Sequence, residues 1–157
     1  MTSKEGTELS YLNIRIIKFP YSFSIDQTSY IKDTNLAQWF TNTSEKLYSA
    51  PTPFKSDITF ELALEDTLPA TPYELHVLEE RYLVKFSAHI GRIIHIMQYT
   101  RTDIMYTINC LSIHVGATSS PLFQDIKHLI HYLHGFPHCT VIYPAGLYVT
   151  TTHDIYQ

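Results

Sequence analysis

Weak alternation of apolar and polar residues near the start of the chain predicts a β-hairpin. Residues 11–17 are rich in isoleucine, which is typical of a strand. Residues 21–25 follow a turn at residues 19–21 and are predicted to pair with that strand. Asp26 or Thr28 then begins a predicted helix, because either side chain can accept a hydrogen bond from a first-turn amide. One side of this helix is apolar and contains Leu36, Trp39 and Phe40.

The middle of the chain changes from a linker pattern to a helical pattern. Residues 42–70 contain three prolines and little helical periodicity, which indicates a linker. Residues 71–74 (Thr-Pro-Tyr-Glu) predict a helix start, since Thr71 and Glu74 can form a capping box around a first-turn proline. We expect the helix to break or kink near Gly91, because glycine costs about 1 kcal/mol relative to alanine inside a helix. Its apolar residues are Leu75, Leu78, Tyr82, Phe86, Ile90, Ile93, Ile94 and Met97.

Two further helices are predicted in the second half of the chain. The first spans 103–113 and is capped by residues 102–103 (Thr-Asp). The second opens at residues 120–121 (Ser-Pro). It is closed by Gly135, the residue type that commonly follows a helix, with Pro137 just beyond.

Two short strands, 138–143 and 147–152, finish the predicted fold. The helices are therefore grouped together rather than alternating with strands. This grouping predicts an α+β fold with an N-terminal β-hairpin, a small helical bundle and a C-terminal short β-hairpin.

The last predicted helix carries two different faces. One face is a polar arc that contains Lys127, His131 and His134 at i, i+4 and i+7, with His128 beside them. By composition alone, this arc is best interpreted as a solvated polar face that binds no partner. The apolar face contains Leu122, Ile126, Leu129, Ile130 and Leu133.

The charge balance of the chain limits nucleic-acid binding. The 157 residues include 11 Lys and Arg against 15 Asp and Glu, a formal net charge of −4. Neutralisation of phosphates by Lys and Arg supplies most nucleic-acid affinity, so strong binding by the chain alone is not expected. A local basic patch on an acidic chain stays compatible with these numbers.

Composition indicates a globular intracellular protein. Hydrophobic residues make up 45% of the chain and charged residues 17%, enough to bury a core. No apolar run approaches the roughly 18 residues that a membrane helix needs, and residues 1–10 lack the hydrophobic stretch of a signal peptide. Two cysteines, Cys110 and Cys139, are too few for a disulfide framework. We therefore expect a soluble protein of the cytoplasm or nucleus, with no membrane partner.

A cluster of histidines with one cysteine near the end of the last helix suggests a metal site as an alternative. Imidazole and thiolate suit zinc or copper, and a convincing helical site needs two ligands at i and i+4. Within this cluster only His134 and His138 have that spacing, and the helix is predicted to end between them. We therefore expect no metal site and no cofactor. The five candidate ligands are His128, His131, His134, His138 and Cys139.

Two runs in the second half of the chain resemble a known family of polyproteins. Residues 99–112 read YTRTDIMYTINCLS, and residues 126–135 read IKHLIHYLHG. They are similar to the runs "TRPDI.YAVN.LSR" and "KRILRYLKG" of copia-type (Pseudoviridae-like) LTR retrotransposon polyproteins. In that family the two runs lie just downstream of the reverse-transcriptase palm.

Weaker similarities follow in the same order over roughly residues 11–154. Residues 11–17 resemble the family's "FLGIEI" strand, residues 24–31 its "LSQ..YI", and residues 90–96 its "VG.LLYL". Residues 147–154 resemble the first ribonuclease H strand, with Asp154 on the first metal-binding aspartate of that enzyme.

Several positions depart from the family pattern. Thr102 stands where the family has proline, and Asn13 stands where it has glycine. His128, His131 and His134 occupy positions that are usually Arg, Arg and Lys. Because each histidine is mostly neutral near pH 7, these changes lower the expected affinity for nucleic acid.

The resemblance implies a non-catalytic segment. In the parent family, which uses Mg²⁺, the region would grip the RNA/DNA template-primer behind the polymerase site. The palm aspartates have no counterpart here, and Asp154 is an orphan of a site that needs several converging carboxylates. The implied parts are a polar N-terminal tail (1–10), strand(s) plus a helix following the palm (11–41), a Pro-containing linker (42–70), a helical thumb/connection-like region (71–136) and strands resembling the start of ribonuclease H (137–157).

Arg101 and Asp103, at the centre of the best-matched run, have two interpretations. In the first, Arg101 lies near nucleic acid or forms a buried ion pair that positions the helix start. In the second, Asp103 meets the helix dipole and Arg101 is exposed. We favour the second, because aspartate at a helix start needs no further explanation.

We therefore predict a retrotransposon-derived protein without polymerase or ribonuclease activity. Its expected partner is an RNA/DNA hybrid, bound weakly through Arg101, Lys127, His128, His131 and His134. The alternative hypothesis is a domesticated structural or interaction subunit of a larger protein assembly, with no nucleic-acid role. An exposed apolar surface that could bind a protein partner would favour this alternative.

Overall fold

The fold is α+β, as predicted, and its strands form one antiparallel sheet. A computed structural model of the chain describes residues 7–33, 46–54, 71–82, 85–116 and 118–144. The strands are β1 (Thr7–Tyr11), β2 (Ile14–Phe19), β3 (Ser22–Asp26) and β4 (Thr140–Pro144). The helices are α1 (Thr28–Asp33), α2 (Pro72–Tyr82), α3 (Phe86–Tyr99), α4 (Met105–Ile113) and α5 (Ser120–Gly135), with a 3₁₀ turn (Thr102–Ile104) before α4.

The N-terminal sheet contains the predicted hairpin and one additional strand. β2 pairs with β3 as predicted, with Ile16 opposite Ile25. The additional strand β1 forms from the end of the predicted polar tail together with Tyr11, and it pairs with β2. The predicted strand 11–17 therefore begins later than expected, at Ile14. Between β1 and β2, Leu12 and Asn13 have positive φ angles of 50° and 62°. Two-residue hairpin turns favour this backbone, and asparagine, like glycine, adopts it readily.

The C-terminal strand closes the sheet from the other end of the chain. β4 pairs antiparallel with β3, with Asp26 opposite Thr140, so the strand order is β1-β2-β3-β4. The predicted strand 138–143 is therefore present with slightly shifted ends. Its partner in the sheet is the N-terminal hairpin, whereas the predicted partner 147–152 lies outside the described residues.

The hydrophobic core lies among α3, α4 and α5. Every residue of the predicted apolar face of α5 is buried, and α3 buries Phe86, Ile90, Ile93 and Ile96. Tyr82 and Phe86 pack against Phe123, with ring centroids 5.3 and 5.2 Å apart respectively. In the part of the chain that the structure describes, no helix has the length and apolar character to cross a membrane. The buried core residues are Ile31, Phe86, Ile90, Ile93, Ile96, Ile104, Ile108, Leu111, Leu122, Phe123, Ile126, Leu129, Ile130 and Leu133.

The boundaries of α2 and α3 follow local chemistry. The capping box is confirmed, since the Thr71 amide donates to Glu74 Oε2 (2.8 Å) and the Glu74 amide donates to Thr71 Oγ1 (3.2 Å). The predicted break at Gly91 is wrong, because Gly91 lies inside α3. Lys85 is extended (ψ 121°) directly before α3, so the chain leaves the helical conformation there.

Truncation of a core isoleucine tests this packing. Ile93 is fully buried in α3, so Ile93→Ala should lower the free energy of unfolding by about 2–5 kcal/mol through lost burial and a residual cavity. Ile113→Ala is the matched control, because Ile113 is 77% exposed and should change stability by only about 0.5 kcal/mol or less. Urea unfolding followed by circular dichroism measures both. Equal losses in the two variants would contradict the assigned core.

Candidate functional site

The arginine of the best-matched run is buried. Arg101 is 2% exposed, and its Nε and Nη2 donate to Oδ1 and Oδ2 of Asp103 at 2.9 and 2.7 Å. Its Nη1 donates to the carbonyl of Phe136, the residue that caps the C-terminal end of α5. A buried guanidinium needs such partners, because an unpaired charge away from water is very costly. The favoured prediction of an exposed Arg101 is therefore wrong, and the buried ion pair is the correct interpretation.

Tyr132 completes this arrangement from α5. Its hydroxyl donates to Asp103 Oδ2 at 2.8 Å, and its ring centroid lies 5.1 Å from the Arg101 guanidinium carbon. Arg101, Asp103 and Tyr132, here called the arginine cluster, thus join the start of α4 to the end of α5. Asp103 serves this cluster, and no side chain caps α4 by a hydrogen bond.

The arginine cluster shifts the pKa of its members. For Asp103, burial alone would raise the pKa, but hydrogen bonds from Arg101 and Tyr132 and the Arg101 charge outweigh it and lower the pKa. Burial and the hydrogen bond to Asp103 raise the pKa of the Tyr132 hydroxyl. Burial opposes the charge of Arg101, but Asp103 more than compensates, and the pKa of Arg101 is raised. The charged pair with a neutral tyrosine is therefore the stable state at neutral pH.

A second set of hydrogen bonds joins the sheet to the helices beside this cluster. Thr100 Oγ1 donates to Gln27 Oε1 at 2.8 Å, and both side chains are buried. The Cys139 thiol donates to the Thr100 carbonyl at 3.3 Å, just before β4. Thr28 Oγ1 donates to the Pro137 carbonyl at 3.2 Å. The segment after α5 is thereby tied both to the end of α3 and to the start of α1.

A segment of the predicted linker covers part of the polar arc of α5. Residues 46–54, here called the strap, lie against this helix. The Tyr48 amide donates to His131 Nδ1 at 3.2 Å, and the two rings stack with centroids 3.7 Å apart. His128 Nε2 lies 3.0 Å from the Thr52 carbonyl. His131 is 3% exposed as a result.

Gly135 is required by the strap rather than by a helix cap. It is the last residue of α5, and Phe136 is the C-cap, so the prediction that glycine stands beyond the helix end is wrong. A Cβ atom at Gly135 would lie 2.7 Å from Ser49 Cβ and 2.9 Å from Ser49 Cα, closer than real Cβ atoms approach such neighbours. Glycine therefore permits the backbone of the strap to rest on α5.

The five predicted nucleic-acid contacts do not form one surface. Arg101 and His131 are buried, whereas His134 is exposed and Lys127 and His128 are partly buried. The predicted basic face is thus divided between the interior, the area under the strap and solvent. Asp154, the predicted orphan carboxylate, lies outside the described residues.

Four of the five candidate metal ligands have separate hydrogen-bonding partners. His138 Nε2 lies 3.3 Å from Lys32 Nζ, while Cys139 bonds to Thr100. Over the described ranges, no group of three or more His, Cys, Asp or Glu side chains could hold a metal ion. The alternative of a metal site built from these residues has no geometric support.

A cleft of about 390 Å³ lies beside the first strands and α1. Arg15 is the cation in its lining, and its Nε is already paired with Glu8 Oε1 at 2.7 Å. The remaining charged group, Asp26, accepts from the Thr28 amide at 2.9 Å. Among its described lining residues, the cleft therefore offers no unpaired positive charge to a phosphate. Its lining residues are Glu8, Ser10, Asn13, Arg15, Asp26, Ser29 and Tyr30.

The sheet exposes large apolar side chains on both faces. The register places Phe23 beside Tyr143, and their rings stack with centroids 4.8 Å apart while each stays about 40% exposed, at 40% and 42%. On the opposite face, Ile142 lies beside Ser24 and is 65% exposed. The edge strand β1 adds Leu9 and Tyr11, at 61% and 68% exposed. By the strand register, Leu9 and Tyr11 lie on the same face as Phe23 and Tyr143. Large exposed apolar patches typically mark interaction sites.

Sequence reasoning did not identify Tyr48 or Tyr132 as important residues. Tyr132 lies in the second matched run, directly after His131. Nothing in the sequence indicated that this run contacts the first one, which lies about thirty positions earlier. Tyr48 lies in the predicted linker, where no periodic pattern indicates a packed segment.

No protein-family model and no solved structure matches the chain.

Neutralising Asp103 tests the arginine cluster. Because the pKa of Asp103 is lowered by folding, its stabilising contribution is present above the unfolded pKa of about 3.9 and is lost as pH falls through the folded value. Asp103→Asn should therefore lower the free energy of unfolding by about 2 kcal/mol at pH 7. This loss is smaller than the usual cost of breaking a buried ion pair, because the Asp103 side chain is 39% exposed.

Urea unfolding at pH 7 and at about pH 2.5 measures this effect. The difference between wild type and Asp103→Asn should shrink toward zero in acid. Glu80→Gln is the control, since Glu80 pairs with His76 on the surface and should change stability by less than about 0.5 kcal/mol. A difference that is the same at both pH values would contradict the electrostatic account.

Proposed function

We propose that the chain is a non-catalytic segment derived from a copia-type retrotransposon polyprotein, and that it acts by binding a protein partner through its sheet. The observation that carries the choice of partner is the distribution of exposed side chains. The predicted basic face is divided and partly covered, whereas the sheet exposes aromatic and aliphatic residues on both faces.

The origin is supported by the two runs that carry the resemblance. Residues 99–112 supply Arg101 and Asp103, and residues 126–135 supply Tyr132, so the arginine cluster is built from both. Direct contact gives a physical reason why the two runs occur together. It also assigns Arg101 an internal structural role, which needs no nucleic acid.

The choice of a protein partner follows from charge and burial. Binding to a nucleic-acid backbone relies on accessible Lys and Arg, and the chain is acidic, with a net charge of −4. Of the two predicted contacts that are Lys or Arg, Arg101 is buried and Lys127 is partly buried. A sheet surface with stacked Phe23 and Tyr143 instead suits a partner with apolar side chains.

Hybrid binding separates the two hypotheses. At pH 7.5 and about 50 mM salt, the purified chain should bind a fluorescent RNA/DNA hybrid no more tightly than about 100 μM, since few phosphates can be neutralised. Fluorescence anisotropy measures this. Tight binding that weakens steeply with salt, and that is lost in Lys127→Gln, would support the nucleic-acid hypothesis and contradict the proposal.

Site-specific photocrosslinking tests the sheet as the binding surface. A photoreactive phenylalanine analogue at position 143, on the sheet, should capture one discrete protein in the source cells. The same analogue at position 73 should not, because Tyr73 is 75% exposed but lies on α2. Equal capture at both positions, or capture of nucleic acid, would contradict the proposal.

The captured partner then allows a quantitative control. Phe23→Ser should weaken its binding by about tenfold or more, because it removes an exposed aromatic side chain that stacks on Tyr143 on the same face of the sheet. Ile113→Ser removes an isoleucine that is 77% exposed on α4, away from the sheet, and should leave the affinity unchanged. Isothermal titration calorimetry measures both.

A further inference from the structure

The strap is held to α5 by a hydrogen bond that requires a neutral histidine. A backbone amide can only donate, so His131 Nδ1 must accept the Tyr48 hydrogen bond through an unprotonated lone pair. Protonation would place a second N–H group opposite the Tyr48 N–H and would charge a ring that is 3% exposed. Both changes oppose the strapped arrangement.

We propose that the strap is a pH-sensitive cover, and that protonation of His131 releases its Tyr48 end from α5. Imidazole is the side chain whose charge ordinarily changes between pH 5 and 8, so acidification from neutral pH favours release. This inference goes beyond the binding function proposed above and does not depend on the identity of any partner. Release uncovers the part of the α5 polar arc that the strap occupies.

The other end of the strap responds differently. His128 Nε2 faces the Thr52 carbonyl, which can only accept, so this nitrogen carries a proton in the bond. Protonation of His128 at its second nitrogen preserves that hydrogen bond and strengthens it through charge. Acid therefore loosens the Tyr48 end of the strap while the Thr52 end stays attached, so the strap opens as a hinged flap.

The described ionisable residues near His131 in sequence and on the strap influence the pH of release. Lys127 lies one turn before it on α5, with His128 and His134 at i−3 and i+3, and these groups disfavour an additional positive charge. From the strap, the Tyr48 ring face attracts a cation, and Lys46 is the remaining ionisable residue. None of these groups can restore the acceptor that protonation removes.

The amide of Tyr48 is a direct reporter of release. In wild type, its hydrogen-exchange protection factor, corrected for intrinsic rates, should fall by about tenfold between pH 7 and pH 5.5, as expected for coupling to one proton. Amides in the middle of α3 should keep their protection over the same range. Constant protection at Tyr48 would overturn the proposal.

Three variants assign the effect to His131. In His131→Asn, the side-chain oxygen can replace Nδ1 as an acceptor that does not titrate, so Tyr48 protection should no longer depend on pH. His134→Asn removes an exposed histidine one turn away and should keep the wild-type dependence. In Gly135→Ala, the added Cβ displaces Ser49, so protection should be low at every pH. Equal pH dependence in His131→Asn and wild type would overturn the proposal.

The titration of His131 itself gives an independent readout. If the strap binds only the neutral ring, its removal must make protonation easier. NMR of the ring protons should therefore show His131 titrating at a higher pH in Gly135→Ala than in wild type. This readout does not require His131→Asn to fold. Equal midpoints would mean that the strap and the proton are not coupled, and would overturn the proposal.

Discussion

Burial of the Arg101 guanidinium is the constraint on which the arrangement of the second half of the molecule depends. A charge that is 2% exposed requires partners in fixed positions, and these come from the start of α4 and the end of α5. Because the Phe136 carbonyl is one of the partners, the end of α5 is fixed in place. The chain that leaves α5 then reaches Thr100 through Cys139 and continues as β4 into the sheet.

The sequence predicted the elements whose signals are local. Spacing within a few residues predicted three of these elements: the capping box at Thr71 and Glu74, the apolar face of α5 and the β2–β3 hairpin. Contacts between distant segments were not predictable in the same way. The pairing of β4 with β3 joins residues more than a hundred positions apart, and alternation cannot distinguish this partner from a neighbouring strand.

The candidate site shows the same division. The spacing of the histidines predicted a solvated polar arc on α5, whereas His131 is buried through contact with Tyr48, more than eighty positions earlier. Gly135 was interpreted as a helix cap because glycine is common there, whereas its neighbour in space, Ser49, is what requires it. Arg101 was expected in solvent because aspartate at a helix start needs no further explanation. The Phe136 carbonyl that accepts from Arg101 and the Tyr132 ring beside it lie more than thirty positions later, at the end of α5.

The central claim is that Arg101 is an internal structural group. Hydrogen exchange of its Nε–H, observed directly by NMR at neutral pH, tests this without any substitution. The account predicts strong protection at Arg101, since its Nε donates to Asp103 inside the fold, and fast exchange at Arg81, which is exposed on α2. Equally fast exchange at the two arginines would contradict the account.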